Sequence, residues 1–394
     1  MDNDVYVVSV ARTPVGKRNG YLREWIAPEL LGHVLDAVIE RIDLDPVLVE
    51  DVITGCVYQV GEQGFTIARM GVFAAEKLTH QVPGISVNRQ CGSSLSAITM
   101  GYALIRSGIH DVLIASGCET MTKYGIASDT GGTLMNGQPM GSPYHAFYMK
   151  AVRNELRDQM QCAQQIAAEY GISQEECLDL AVASHQKAAA ATEEGKFADE
   201  IVPTPGKDKE GNDIVMTADE TIRPQTTADA IRNLPPVSGT AWISAGVSSP
   251  VTDGASALVL MSEKKMKELG LEPLARIAHN TVTGSDPRLM LTGPVDVWPK
   301  MKAASGLDKE DIGLFEVNEA FAPIPLAFTR TYDIAMDKLN VNGGALALGH
   351  PVGNSGARIA CTLIHEMRRR NVRYGYETLC TGGGMAPAVI FERA

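Results

Sequence analysis

Apolar stretches of two different periods alternate along the first 120 residues of the chain. Residues 5–10, 52–57 and 111–116 are short runs of aliphatic and β-branched side chains, and they predict buried strands. Residues 28–42 carry apolar side chains at helical spacing, and a further helix is predicted through 73–76. Strands that alternate with helices in this way are typical of an α/β protein.

The stretch 86–108 carries the clearest chemical signal. A β-type run at 85–87 leads into a short polar loop, and Cys91 stands where a helix that is apolar nearly all round must begin. The N-terminus of such a helix presents unpaired N–H groups and a partial positive charge. We therefore expect the thiolate form of Cys91 to be favoured, as a nucleophile requires. On this stretch alone, an inert buried cysteine is an equally good interpretation.

The pattern changes between Met121 and about residue 240. Gly, Asp, Asn and Pro cluster at 125–143, and a Gln- and Ala-rich helical pair is predicted over 154–195. The helix predicted at 172–191 has Ser173 with Glu176 three residues on, which is the capping-box pattern. This region is interpreted as an inserted, more exposed segment, and residues 248–262 return to a buried strand.

The last third of the chain repeats the plan of the first. Three pairs of segments each place a short strand before a polar or Gly-rich turn: 49–57 with 309–320, 86–93 with 340–350, and 112–120 with 379–385. The repeat predicts two similar β/α halves that bring their functional groups to matching strand ends.

Composition narrows the class of protein further. The 394 residues exceed what a single hydrophobic core usually serves, and 38 glycines suit a fold with many tight strand–helix turns. A net charge of −12 argues against a general surface for nucleic acid or for an anionic membrane.

The cysteines and the first residues bear on compartment and on metal binding. The seven cysteines include no CxxC pair, which argues against a disulfide framework and against a structural metal site. The opening MDNDVYVVSV is a strand with acidic flanks rather than a targeting signal, and no apolar run is long enough for a membrane span. We expect a cytoplasmic protein.

Three further positions carry reactive side chains in glycine-rich or strand-end turns. His350 lies between Gly349 and Pro351, and this favours a function over a packed loop histidine. Cys380 precedes three glycines whose N–H groups are suited to an oxyanion hole, although a buried cysteine before a loose turn is equally possible. Asn318 follows an apolar strand, and on its own it is best explained as a helix cap.

Together these residues suit acyl transfer through a thioester, followed by proton abstraction from carbon. At this point the chain resembles the thiolases, the acetyl-CoA acyltransferases. The resemblance runs from ArgThrProValGlyLys (12–17) to GlyGlyGlyMet (382–385), and its most specific blocks are AsnGluAlaPheAla (318–322), GlyGlyAlaLeuAlaLeuGlyHisPro (343–351) and CysThrGlyGlyGly (380–384).

The resemblance implies a role for each of these residues. Cys91 would be the acylated nucleophile, His350 the base that activates it, and Cys380 the thiol that moves a proton at the α-carbon of acetyl-CoA. Asn318, through a bound water and together with His350, would form one oxyanion hole. The N–H groups of Cys91 and Gly382 would form the other.

The resemblance also implies how coenzyme A and the acyl chain are bound. Ser249 would lie near the pantetheine, Arg223 near the nucleotide end, and Met160 and Phe321 beside the acyl group. The structural alternatives are a strand-edge hydroxyl for Ser249, a solvated residue for Arg223 and plain core for Met160. Departures from the commonest pattern, such as Gln159 before Met160, leave the acyl chain open. The opening ArgThrProValGlyLysArgAsnGly (12–20) and GlyGluGln (61–63) resemble thiolases that cleave bulkier or longer 3-ketoacyl-CoAs.

The fold implied by the resemblance is the α/β thiolase fold, with duplicated β/α halves in a five-layered αβαβα arrangement. Expected domains are an N-terminal half (1–122 and 252–272), an inserted loop domain over CoA (123–251) and a C-terminal half (273–394). A homodimer or homotetramer is expected, with apolar strands such as 111–116 pairing across a two-fold axis.

The implied activity is that of an acyl-CoA:acetyl-CoA C-acyltransferase, which makes or cleaves 3-ketoacyl-CoA by a ping-pong reaction. Acyl-CoA, CoA and acetyl-CoA would be substrates, with no covalently bound cofactor and no metal. Two alternatives are a decarboxylating ketosynthase-like condensing enzyme, which would lack the second thiol at Cys380, and a thiolase-like scaffold that binds acyl-CoA.

Overall fold

A computed structural model of the chain describes residues 4–237 and 239–394. The strands are β1 (Val5–Arg12), β2 (Gly16–Lys17), β3 (Asp51–Gly55), β4 (Gly84–Val87), β5 (Val112–Thr120), β6 (Thr204–Lys207), β7 (Asp213–Met216), β8 (Thr252–Ser262), β9 (Ala275–Gly284), β10 (Ile312–Val317), β11 (Tyr374–Thr378) and β12 (Met385–Arg393). The helices are α1 (Ala27–Glu40), α2 (Ile67–Ala74), α3 (Ser93–Arg106), α4 (Ala146–Ala151), α5 (Gln159–Glu169), α6 (Gln174–Glu193), α7 (Ala228–Arg232), α8 (Glu263–Glu268), α9 (Gly293–Ser305), α10 (Pro323–Tyr332), α11 (Ala345–Leu348) and α12 (Ser355–Arg369).

The main sheet consists of two halves with the same strand order. The N-terminal half runs β1-β8-β5-β3-β4, and the C-terminal half runs β9-β12-β11-β10. In each half the first three strands are antiparallel neighbours and the next strand is parallel. Leu339 forms a parallel bridge to Phe315 of β10, at the place that β4 occupies in the first half. The duplication predicted from the sequence is confirmed.

The two halves meet where β1 pairs with β9, through Tyr6 with Arg276 and Val7 with Ala275. Apolar side chains of α1 and α2 cover the outer face of the first half-sheet, and those of α9 and α10 cover the outer face of the second. Leu95 and Ile98 of α3 and Ile359 and Leu363 of α12 lie in one core with inner-face residues of both half-sheets. The order is therefore helix, sheet, helix, sheet, helix, as predicted.

The strand predicted at 111–116 does not lie at a sheet edge. β5 lies between β8 and β3, so its backbone groups are already paired and cannot pair across a two-fold axis. That part of the assembly prediction is wrong. The edge of this half-sheet is β4, which pairs with β3 alone in the described sheet order.

The segment between β5 and β8 forms the predicted insertion. It contains helices α4 to α7 and the β6–β7 hairpin, and residues 128–147 are almost all exposed. The Ser173–Glu176 capping box at the start of α6 is present as predicted, and Asp158 with Gln161 forms a second one at α5.

Candidate active site

Cys91 lies in the tight connection between β4 and α3, as the sequence predicts. Gln90 takes a left-handed conformation (φ +49°) that turns the chain sharply, and Gly92 is the N-cap of α3. A left-handed non-glycine residue is uncommon and concentrates at functional sites. Cys91 is 7% exposed and packs with apolar side chains from three segments: Val57 and Tyr58, Met121, and Val352.

The protonation state of Cys91 differs from the expectation. Burial raises the pKa of the Cys91 thiol to about 11, and the charge of Glu119 acts in the same direction. The N–H groups of Gly382 and of Cys91 itself act against this shift, but desolvation is the larger effect. The prediction of a favoured thiolate is therefore wrong for the free protein, and Cys91 must lose a proton before it can attack.

Cys380 and Gly382 lie in the turn between β11 and β12. Gly383 and Gly384 have φ of +82° and +75°, two successive left-handed positions that glycine adopts without strain. The turn directs the Gly382 N–H at the Cys91 thiol, and Cys91 is close enough to raise the pKa of Cys380. Two thiols from different halves of the chain thus lie together, and burial keeps both protonated.

His350 is buried in the loop before α12 and is held at both ring nitrogens. Nδ1 lies 2.5 Å from Oγ of Ser355, and that hydroxyl donates to the Pro351 carbonyl at 3.0 Å. Because the Ser355 proton is used in this bond, the hydroxyl accepts the hydrogen on Nδ1. Nε2 is then the free base, and Asn318 Nδ2 donates to it at 3.4 Å. Burial and Arg358 lower the pKa of His350 to about 3, so the ring is neutral.

Asn318 directly follows β10 and is not a helix cap. α10 begins five residues later, with Ala322 as its N-cap, so that alternative is wrong. The backbone N–H of Asn318 donates to the Thr378 carbonyl at 3.1 Å, which ties it to the strand that leads to Cys380. Its Oδ1 is buried without a hydrogen-bond partner. A buried acceptor of this kind calls for a hydrogen-bond donor, and a water molecule can supply one.

The contacts above bring the five predicted catalytic residues to one place. Gly382 and Cys380 neighbour Cys91, Asn318 neighbours His350, and Asn318 is hydrogen-bonded to the end of the strand before Cys380. Val352, two residues after His350, packs in the same cluster as Cys91. A neutral imidazole, two protonated thiols and turn N–H groups can carry out proton transfer and nucleophilic attack.

The predicted coenzyme A and acyl residues are more dispersed. Ser249 N donates to the Ala320 carbonyl at 3.0 Å, so Ser249 lies beside the Asn318 turn. Phe321 is buried, and Met160 packs against the same apolar cluster, which agrees equally with an acyl pocket and with plain core. Arg223 is exposed, and its N–H donates to Nδ1 of His185 on α6, at 3.1 Å.

Sequence reasoning missed two residues that hold this site. Ser355 fixes the His350 ring, and its only signal is its place five residues on in the same loop. Glu119 is a buried carboxylate at the end of β5. It accepts hydrogen bonds from the N–H of Val57, which packs against Cys91, and from the N–H of Gly353, in the loop after His350. Its partners are far away in the sequence, so no local pattern indicates it.

The structure also bears on disulfide, metal and membrane binding. All seven cysteines are free and buried. Among residues 4–237 and 239–394, no group of three or more His, Cys, Asp or Glu side chains could hold a metal ion. Within the same residues, each helix is too short or too polar to cross a bilayer.

Comparison with known proteins agrees with the geometry. The family models for the thiolase N-terminal domain and the thiolase C-terminal domain match residues 5–264 and 271–393. A 3-ketoacyl-CoA thiolase of Yersinia pestis (strain Pestoides F) is 41% identical over 402 residues, covering 100% of both chains.

Two crystal structures have the same fold over the whole chain. Human mitochondrial 3-ketoacyl-CoA thiolase in complex with CoA superposes with a TM-score of 0.90 at 35% identity, covering 100% of this chain and 98% of that one. The acetyl-CoA acetyltransferase of Bacillus anthracis gives 0.90 at 34% identity, covering 100% and 99%. The duplicated half-sheets and the two neighbouring free thiols agree with these matches, and the chain belongs to the thiolase family.

Proposed function

We propose that this protein transfers acyl groups between coenzyme A thioesters, cleaving or forming 3-ketoacyl-CoA through an acyl group on Cys91. One observation carries the proposal: thiols from the two halves lie together, and the Gly382 N–H donates to one of them. A single nucleophile would need only one thiol. The second supplies an acid and base for carbon chemistry.

In the cleavage direction, Nε2 of His350 takes the proton of the Cys91 thiol and the sulfur attacks the 3-keto carbonyl. The oxygen of the tetrahedral adduct is stabilised by the N–H groups of Cys91 and Gly382. The bond between C2 and C3 then breaks, leaving the acyl group on Cys91 and an enolate of acetyl-CoA. A neutral His350 is suited to the first step because it can accept a proton.

Cys380 completes this half-reaction. Its raised pKa keeps it protonated, so it can donate its proton to the α-carbon of the enolate and release acetyl-CoA. Asn318 would hold a water on its free Oδ1, beside the protonated His350, where the enolate oxygen develops charge. Coenzyme A then gives its thiol proton to the Cys380 thiolate and attacks acyl-Cys91. The Cys91 sulfur leaves and recovers its proton from His350, and the product is an acyl-CoA two carbons shorter than the substrate.

The substrates are proposed to be bound by the turn that contains Asn318 and by the inserted segment. Ser249 would contact the pantetheine arm, Met160 and Phe321 would border the acyl chain, and Arg223 would meet the nucleotide end. The hydrogen bond from Ser249 to Ala320 and the shared cluster of Met160 and Phe321 support this placement. A related thiolase has been crystallised with CoA.

A ketosynthase-like decarboxylating enzyme is the second candidate. Such an enzyme would have no use for Cys380 close to Cys91, so the shared site of the two thiols favours the thiolase reaction. A scaffold that only binds acyl-CoA would not need His350 fixed at both ring nitrogens.

We infer the organisation of the chain from the same contacts. Residues 1–122 and 252–272 would form the N-terminal half, 273–394 the C-terminal half, and 123–251 the loop domain. β8 follows the insertion and lies between β1 and β5, which supports this division. We propose a cytoplasmic homodimer or homotetramer. The edge strand β4, on which Ile85 is 45% exposed, is available to pair with a second chain.

Thiolysis of a panel of 3-ketoacyl-CoA substrates tests the proposal. The panel runs from four carbons upward and includes a branched or cyclic substrate. We expect CoA-dependent cleavage with a preference for chains longer than acetoacetyl-CoA. Malonyl-dependent condensation without thiolysis would support the ketosynthase instead, and activity confined to acetoacetyl-CoA would contradict the preference for larger substrates.

A further inference from the structure

Glu119 is a buried carboxylate that accepts hydrogen bonds from four neutral N–H donors and, at 3.8 Å, from the Cys56 thiol. Its Oε2 accepts the N–H of Val57 at 2.8 Å and that of Gly353 at 3.0 Å. Its Oε1 accepts the N–H of Tyr58 at 3.2 Å and Nε2 of Gln63 at 2.8 Å. The residue itself is 0% exposed. Burying a carboxylate in this way is costly, and the fold retains it by satisfying both oxygens.

The donors belong to the segments that enclose the active site. Val57 and Tyr58 follow β3 and pack directly against Cys91. Gly353 lies three residues after His350, in the loop that leads to α12, and it is separated from Glu119 by 234 positions. The carboxylate therefore joins the wall of Cys91, built by the N-terminal half, to the loop of His350, built by the C-terminal half.

The residues around Glu119 are shaped for this contact. A side-chain carbon on Gly353 would lie 2.5 Å from Oε2, so only glycine allows the approach. Gln63 extends the network, since its Nε2 also donates to the Tyr58 carbonyl at 2.7 Å and its Oε1 accepts the N–H and hydroxyl of Thr120 at 2.7 and 2.9 Å. The network fixes the carboxylate from both sides.

We propose that Glu119 is a positioning residue for acyl transfer, holding the loop of His350 in register with Cys91 across the boundary between the two halves. The inference rests on the proposed function and adds to it a residue outside the five that carry the chemistry. A misplacement of about 1 Å between nucleophile and base is enough to lower turnover by about 100-fold.

Glu119 also acts on its titratable neighbours, and this gives a readout that simple loosening of the fold does not provide. The groups that feel its charge are the thiols of Cys56, Cys91 and Cys118 and the phenol of Tyr58, and its presence contributes to raising the pKa of each. Removing the charge should therefore shift the alkylation of Cys91 by iodoacetamide to lower pH, whatever happens to stability.

Replacement of Glu119 by Gln provides the test. The amide keeps the shape but turns one acceptor into a donor that faces two N–H groups. We expect kcat for thiolysis to fall by about 10- to 100-fold with KM nearly unchanged, and the pH midpoint of Cys91 alkylation, followed by peptide mapping, to move down. Glu119→Asp keeps the charge and should restore the midpoint but not kcat.

Glu366→Gln is the matched control. Glu366 is another buried carboxylate with hydrogen-bond partners, on α12, and it bonds to Asn342, Arg369 and Arg370 rather than to active-site segments. The Glu366→Gln variant should lose stability, but neither its kcat nor the pH midpoint of Cys91 alkylation should change. If Glu119→Gln behaves like Glu366→Gln in both readouts, the inference is overturned.

A second variant decides the matter if Glu119→Gln does not fold. Gln63→Met removes the outer support of the carboxylate and keeps the volume, so a several-fold fall in kcat supports the inference and an unchanged kcat overturns it. Failure of the proposed function is recognised separately, because the wild-type protein would then lack thiolysis while the alkylation profiles would still report on Glu119.

Discussion

The two halves of the molecule share a strand order but differ in the residues placed after equivalent strands. After its edge strand β4, the N-terminal half places Cys91 before α3. After the matching bridge at Leu339, the C-terminal half places His350 before α12. After β3 comes Cys56, whereas after β10 comes Asn318. The duplicated sheet therefore provides equivalent positions in the two halves, and the residues in the turns determine which chemical groups stand there.

In each half a buried carboxylate holds turns of this kind. In the first half it is Glu119. In the second half it is Glu319, which accepts hydrogen bonds from Ser184, Asn340 and the N–H of Leu346. Both carboxylates accept hydrogen bonds from neutral donors. The inserted segment takes part only in the second case, through Ser184 of α6.

The largest effect is expected from Cys91, the proposed nucleophile in the N-terminal half. Cys91→Ser should lower thiolysis by about 10⁴-fold or more, since a serine hydroxyl is much less acidic than the thiol and a weaker nucleophile towards a thioester-bearing substrate. Cys177→Ser is the control, because Cys177 is equally buried but lies in α6 away from both thiols. Steady-state rates with one 3-ketoacyl-CoA measure both, and comparable losses would abolish the distinction between the cysteines.

Loss of the hydroxyl that holds His350 should have a smaller effect. Ser355→Ala removes the acceptor of the Nδ1 hydrogen, so the ring is free to change tautomer. A lost hydrogen bond of this kind corresponds to about a tenfold fall in kcat. Ser355→Thr keeps the hydroxyl and should retain more activity than the alanine variant. Equal rates for Ser355→Ala and wild type would show that the ring is fixed in another way.

The pH dependence of stability should have opposite signs for His350 and for Cys91. The pKa of His350 is lowered to about 3 from 6.5, so the folded protein remains neutral there while the unfolded chain takes up a proton. The stabilisation is present above pH 6.5 and is lost as the pH falls towards 3. Between pH 7 and pH 5, wild type should lose about 1–2 kcal/mol more than His350→Gln.

Cys91 affects the free energy of unfolding in the alkaline range, because its pKa is raised to about 11 from 9.0. Its contribution is present below pH 9 and is lost as the pH rises through 11. Denaturant unfolding of His350→Gln and Cys91→Ser, each against wild type over the full pH range, measures the two contributions. Parallel curves for wild type and either variant would contradict the protonation states described above.

The smallest effect concerns the insertion that neither half duplicates. Ser173→Ala removes the N-cap of α6 and should lower the free energy of unfolding by about 1 kcal/mol, with thiolysis unchanged. Ser173→Asp retains a cap and serves as the control. A fall in kcat beyond the loss of folded protein would mean that α6 is coupled to the site more tightly than the contact of Ser184 with Glu319 suggests.

The sequence was sufficient for the framework and for the reactive groups. A helix start after a short polar loop marked Cys91, Gly-rich turns marked His350 and Cys380, and the three paired segments anticipated the two half-sheets. It was insufficient where an outcome depends on competing magnitudes. The helix N-terminus beside Cys91 predicted a thiolate, yet burial outweighs the N–H groups and raises the pKa.

Contacts between residues far apart in the sequence are the other feature that could not be predicted. Asn318 resembled a cap in local sequence, and only the tertiary structure shows its amide at His350. Glu119 is hydrogen-bonded to Gly353, which is 234 positions away in the sequence. The edge strand β4 is less apolar than the interior strand β5, which was expected to pair across a two-fold axis. Local patterns do not contain such neighbours.

The most direct test of the central claim is acetyl labelling of Cys380→Ser. If the two thiols serve one site with separate tasks, incubation with acetyl-CoA will place one acetyl group on the peptide that contains Cys91, in this variant as in wild type, while 3-ketoacyl-CoA formation is lost. Cys91→Ser will carry no label. An acetyl group elsewhere, or condensation that continues without the Cys380 thiol, would contradict the division of labour between the halves.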